Sequence, residues 1–135
     1  MASWLIKSEP ATWSWAQQVK KGTECWDGVR NYQAANNLKA MTLGDLCFFY
    51  HSNVGKEIVG IVQVVKEAYI DPTDLKGKFV AVDIQTVKAL AKPVSLATIK
   101  HIEALQDIAL IKQSRLSVMP ISDMHWNEII RLSSL

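Results

Sequence analysis

The sequence has little of what marks a secreted scaffold, a membrane protein or a familiar enzyme. Its 135 residues hold two cysteines, Cys25 and Cys47. They are neither paired as C-x-x-C nor numerous enough for a disulfide framework, so free thiols in a reducing compartment are expected. No stretch approaches the roughly 18 consecutive apolar residues of a membrane span. The opening "MASWLIKSEP" has no basic region, apolar region and small-residue cleavage site in succession. A cytoplasmic protein with no membrane association is the expectation. Charge blocks, low-complexity tracts, internal repeats and Pro/Gly/Ser-rich linkers are also missing. One domain over residues 1–135 is predicted, in a chain long enough to bury a sizeable core.

Catalytic signatures are equally scarce. No Gly-rich phosphate loop, H-E-x-x-H, G-x-S-x-G or EF-hand spacing occurs. His51, His101 and His125 lie far apart, without an acid or Cys partner at metal-ligand spacing, so neither a metal nor a cofactor is expected. Cys47 and His51 form the sharpest enzyme pair. On one strand they are about 13 Å apart, too far for a hydrogen-bonded nucleophile and base. A formal net charge of +2, with both signs mixed along the chain, does not announce a nucleic-acid binder. Any such role has to rest on particular residues.

What is present reads as alternating strands and short helices. "SWLIK" (3–7) has the period of a strand. Ser14 caps a helix that ends at Lys20-Lys21 and stops at Gly22. Asn31 is placed to accept from the backbone N–H of Ala34, which puts Ala34, Leu38 and Met41 on one helical face. "LCFFYH" (46–51) and "EIVGIVQVVKEAY" (57–69) are β-branched and aromatic strands joined by the loop "SNVGK". "DPTDLKGK" turns the chain into a third long strand, 79–90. Ser95 and Ser122 cap later helices, with staples Val94/Ile99 and Ile121/Trp126. "RLSVMPI" (115–121) fits a last strand. The sum is an α+β domain, a curled antiparallel sheet or small β-barrel with short helices packed at its edges.

Four of the five tryptophans, Trp4, Trp13, Trp15 and Trp26, fall in the first 26 residues. Periodicity assigns Trp4 and Trp15 to the core. Trp26 sits among Glu24, Asp27 and Arg30 in what reads as a loop, where binding residues concentrate. Flat side chains beside Arg, Asp and Asn suit a planar heterocycle, the ring stacking while polar groups address its edge. An ion pair between Asp27 and Arg30 that merely fixes the loop is the competing reading.

Seven segments, in order along nearly the whole chain, resemble the EVE domain family. They are "WLIKSEP" (4–10), "WDGVRNYQA" (26–34), "GDLCFFYHS" (44–52), "IVGIVQVV" (58–65), "AYIDPT" (68–73), "KPVSL" (92–96) and "SRLSVMPI" (114–121). The resemblance implies a PUA-like fold, a curled antiparallel β-barrel related to the YTH domain. It also implies a pocket for a modified nucleobase, modified cytosine in the family. Carried over, the pocket comprises Trp4, Lys7, Ser8, Trp26, Asp27, Asn31, Tyr50, His51, Ser52, Ser114 and Ser117. Arg30 and Arg115 hold phosphate, with Lys20 and Lys21 as outer contributors, and Arg30 has bracing the wall as its alternative. The segment 73–78, "TDLKGK", is shorter than in longer relatives, so a lip carried there is expected to be absent. The implied partner is DNA or RNA with a modified base, read by a non-enzymatic, monomeric domain. An enzyme acting on a modified nucleobase or nucleotide, with Glu9 or His51 as base, and an adaptor with a vestigial pocket are the alternatives.

Overall fold

A computed structural model describes residues 2–135. Six strands form one sheet in the order β2-β5-β4-β3-β1-β6. They are β1 (Ser3–Ser8), β2 (Thr23–Trp26), β3 (Leu46–His51), β4 (Glu57–Ile70), β5 (Val80–Ser95) and β6 (Val118–Ile121). The helices are α1 (Trp15–Lys21), α2 (Tyr32–Ala40), α3 (Leu96–Lys100), α4 (Ala109–Lys112) and α5 (Asp123–Ser133). Among the described residues, no helix is long and apolar enough to cross a membrane.

Local chemistry sets the helix starts. Ser14 accepts from the Gln17 N–H while the Gln17 side chain accepts from the Ser14 N–H, a reciprocal box that satisfies two orphan donors. Gly22 then ends α1 at φ 84°. Asn31 Oδ1 accepts from Ala34 N at 2.9 Å, and Ala34, Leu38 and Met41 are buried beneath α2. Ser95 and Ser122 cap α3 and α5. The staple residues Val94, Ile99 and Ile121 are buried, and Trp126 stacks on Phe48 with centroids 3.8 Å apart.

The expected barrel is not closed. β1 pairs in parallel with β3 and antiparallel with β6, while β2 pairs with β5, so β2 and β6 remain the two edges. Register shifts along the long β4–β5 pair bend and twist the strands, which curls the sheet. α2 packs on β5, next to one edge, and on β6, the other. A helix rather than a hydrogen-bonded ladder spans the opening. Closure depends on this packing, which strand periodicity does not encode.

Gly60, opposite Phe49 on β4, has no room for a side chain. A Cβ there would lie 2.3 Å from the indole of Trp15, which also meets Phe49 edge-on at 5.2 Å. Gly60→Ala should destabilise the fold by about 1 to 3 kcal/mol through overpacking, read by chemical denaturation. An unchanged midpoint would mean that Trp15 is not held against the sheet.

Candidate functional site

The opening between the sheet edges leaves a cavity of about 500 Å³. Lys7, Ser8 and Glu9 reach it from the end of β1, Thr12 and Trp13 from the approach to α1, and Glu24, Cys25 and Trp26 from β2. The loop 27–31 and Ser117, just before β6, complete the wall. Its volume is in the range of small-molecule sites.

Two indoles give the cavity its aromatic surface. Trp26 is not in a loop, as its charged neighbours suggest, but is the last residue of β2. It is 9% exposed and meets Phe49 edge-on at 5.7 Å. Four residues of edge strand, "TECW", are too short and too polar to show a period. Trp13 is positioned by its indole N–H, which donates to Gln18 Oε1 at 2.9 Å. Gln18 is fully buried and anchored in turn on the Gly22 carbonyl and Thr86. Strand and helix periodicity gives Trp13 no assignment. Its signal was that, unlike Trp4 and Trp15, it has no place in a core periodicity.

The loop after Trp26 is held from below by Asp71. That carboxylate is fully buried and accepts from Gly28 N at 2.8 Å, Arg30 Nη1 at 3.0 Å, Thr73 N at 2.7 Å and Thr73 Oγ1 at 2.6 Å. Burial works to raise its pKa, but the bonds from Thr73, Gly28 and Arg30 outweigh it and hold the group at about 2. Gly28, at φ 79°, supplies the backbone conformation that aims its N–H at Asp71. Arg30 is therefore tied to Asp71 and Thr73, and the competing Arg30–Asp27 ion pair gives way to this one. Asp74 closes the short 73–78 loop by accepting from the backbone of Lys76, Lys78 and Phe79.

Asp27 is left exposed at the cavity. Partial desolvation and the nearby charges of Asp71 and Glu24 raise its carboxyl above the ordinary carboxylate range. Asn31 spends its oxygen on the helix cap, which leaves its amide N–H groups as donors. On the opposite wall Lys7 donates to the Ser114 carbonyl at 2.7 Å, and burial lowers its pKa. A second cavity of about 340 Å³ adjoins the first at Asn31 and is lined by Gln33, Gln113, Ser114, Arg115 and Leu116.

The expected site residues thus divide. Lys7, Ser8, Trp26, Asp27, Arg30, Asn31 and Ser117 share the main cavity, while Ser114 and Arg115 line its neighbour. Thr12, Trp13, Glu24, Cys25, Gly28 and Val29 also line the main cavity and are not among them, as does Glu9, which the enzyme alternative names as a base. Trp4 does not line the cavity; its indole donates to the buried Asp45 at 3.0 Å. Tyr50 is 3% exposed, beneath the Lys7 ammonium. His51 Nε2 accepts from Trp15 N at 2.9 Å, and burial lowers its pKa, so the ring is a neutral acceptor. Ser52 donates its backbone N–H to Ser8. None of these three lines either cavity, contrary to the expected pocket. Lys21 pairs with Glu24 at 2.9 Å on its rim, and Lys20 is exposed on the same helix end. Cys47 is fully buried with its thiol pKa pushed far up, and His51 is engaged elsewhere, so the two form no dyad. No group of His, Cys, Asp and Glu among the described residues is arranged to hold a metal ion.

An open, curled sheet with an aromatic, partly acidic cavity where its edges fail to meet defines a small ligand-binding domain. The EVE domain family model matches residues 2–132, and the chain belongs to that family. Its backbone is similar to a solved Rhodopseudomonas palustris protein, Rpa0253, at 52% identity and TM-score 0.95, covering 99% of this chain and 94% of that one. Human thymocyte nuclear protein 1 is 34% identical, the match covering 96% of this chain and 72% of that protein. Its structure in complex with 5-methylcytosine-containing DNA matches with TM-score 0.93 at 32% identity, covering 100% of this chain and 99% of that one. The YTH domain of Zygosaccharomyces rouxii MRB1, solved with N6-methyladenosine RNA, shares the fold at TM-score 0.60 and 16% identity, over 99% of this chain and 85% of that one.

Proposed function

We propose that the protein is a non-enzymatic reader that takes one modified nucleobase, a modified cytosine, out of DNA or RNA into the main cavity. The observation that carries this reading is the pairing of Trp13 and Trp26 with Asp27 and Asn31 on one cavity wall system. Indole faces supply stacking, and a carboxylate is the natural acceptor for the exocyclic amine of cytosine. The human relative solved with 5-methylcytosine DNA supports the choice of base. A base enters such a site only after leaving its stack, so single-stranded or flipped substrate is favoured.

The flanking phosphates meet Arg115 and the outward face of Arg30, with Lys20, exposed at the end of α1, as an outer contributor and Lys21 and Lys7 already engaged. Free thiols at Cys25 and Cys47 suit a reducing, cytoplasmic setting. The enzyme reading loses His51, a structural acceptor, and the buried Cys47, and rests on Glu9 alone, which lines the cavity. Asp27 supplies the test. Asp27→Asn should weaken binding of 5-methyl-2′-deoxycytidine by about ten- to a hundredfold, the loss of a hydrogen bond to a charged group. In the wild type, affinity should fall as pH drops through the raised titration of Asp27, since only the ionised form offers the exocyclic amine a charged acceptor. Conversion of the nucleoside to a product, or an affinity indifferent to both changes, would contradict the proposal.

A further inference from the structure

Tyr32 stands at the first position of α2, next to Asn31 of the cavity wall, and is 67% exposed. The core does not need it. Its ring lies against Phe79, centroids 5.1 Å apart and planes tilted by 35°. The Arg30 guanidinium carbon lies 5.4 Å from the centroid of the same Phe79 ring. Arg30 also lines the cavity, and its side chain is 41% exposed.

This cluster is held in place from several sides. Asp71 and Thr73 fix Arg30, the Asp74 carboxylate receives the Phe79 N–H at 2.8 Å, and the Phe79 carbonyl receives the Asp71 N–H at 3.0 Å. Two aromatic rings and a half-exposed cation therefore form a shelf just outside the cavity mouth. The two rings are tilted and the Arg30 guanidinium lies over Phe79, so the exposed Tyr32 ring offers the stacking surface, with a cation close behind it. That combination matches a base joined through a phosphate to whatever occupies the cavity.

We propose that the Tyr32–Phe79–Arg30 shelf stacks the base of the nucleotide adjacent to the modified one, with Arg30 facing the intervening phosphate. The proposal rests on the cavity being a base pocket and extends the footprint from one nucleotide to two. Stacking on an aromatic face accepts every base, so the shelf adds affinity without reading the neighbouring sequence.

The test compares the native protein, Tyr32→Ala and Tyr32→Phe against two probes. One is 5-methyl-2′-deoxycytidine, and the other is a single-stranded trideoxynucleotide with a central 5-methylcytosine. Tyr32→Ala should lose roughly 5- to 150-fold affinity for the trinucleotide, the range of one base–aromatic stack, while nucleoside binding stays within about twofold. Tyr32→Phe should keep native affinity for both, since the ring and not the hydroxyl stacks. An unchanged trinucleotide affinity in Tyr32→Ala overturns the shelf and leaves the pocket standing. A parallel loss for both probes also overturns it, because Tyr32 would then act on the cavity through α2. Light scattering that shows a native dimer becoming monomeric in Tyr32→Ala would assign the shelf to a second copy of the chain. If the native protein binds neither probe, the base-pocket reading falls and takes the shelf with it.

Discussion

Trp26→Ala is expected to lower the stability of the protein by about 3 to 5 kcal/mol and to remove nucleoside binding at the same time. The indole ends β2, is 9% exposed and presses edge-on against Phe49, whose own ring supports Trp15. Truncation opens a void between an edge strand and the centre of the sheet, where the surrounding backbone has little freedom to collapse. The same indole walls the cavity, so both effects share one cause. Trp26→Phe separates them: a smaller ring should keep most of the stability and a weakened stack. Denaturant melts of the two variants provide the check. Native stability in Trp26→Ala would return Trp26 to the loop that its polar neighbours suggest.

Asp71→Asn should be nearly as damaging, by about 2 to 4 kcal/mol, because it removes a buried charge on which four donors converge. Gly28 N, Arg30, Thr73 N and the Thr73 hydroxyl all donate to it. An amide has one acceptor oxygen, and its N–H groups would face donors. The pH dependence has a definite sign. Folded Asp71 titrates at about 2, below the ordinary value of 3.8, so its contribution is complete above that ordinary value and is lost as pH falls toward 2. Stability measured between pH 7 and 2 should therefore fall less steeply toward acid in Asp71→Asn than in the native protein. Parallel curves would show that Asp71 is not the clamp of the loop. Nucleoside affinity should drop in the variant even at neutral pH, since Trp26, Asp27 and Asn31 flank the clamped segment.

The difference between Trp26 and the helix caps shows what the sequence makes legible. Ser14, Asn31, Ser95 and Ser122 act on residues three positions away, and each cap forms as its spacing predicts. The segments that carry the family resemblance likewise put Trp26, Asp27, Arg30 and Asn31 at one cavity with Lys7 and Ser8. Partners far along the chain are not legible in this way. Asp71 is 41 residues from Arg30, and the only local hint is the turn chemistry of "DPT", where Asp71 accepts from Thr73. Asp45 is likewise 41 residues from Trp4, and its bond directs that indole into the core. The open edge of the sheet is the third case. Periodicity identifies strands, but whether β2 meets β6 depends on where α2 packs, which is a property of the assembled chain.

Recognition by the base and recognition by the phosphates respond differently to salt. Affinities of 5-methyl-2′-deoxycytidine, and of matched oligonucleotides with and without one 5-methylcytosine, should be measured from about 50 to 200 mM salt. The nucleoside should bind with almost no salt dependence. The methylated oligonucleotide should bind more tightly than the unmethylated one, with a shallow slope equivalent to about two or three phosphate contacts, as the few free cations at the mouth allow. Steep, equal slopes for both oligonucleotides with no binding of the nucleoside would transfer recognition to a charged surface outside the cavity.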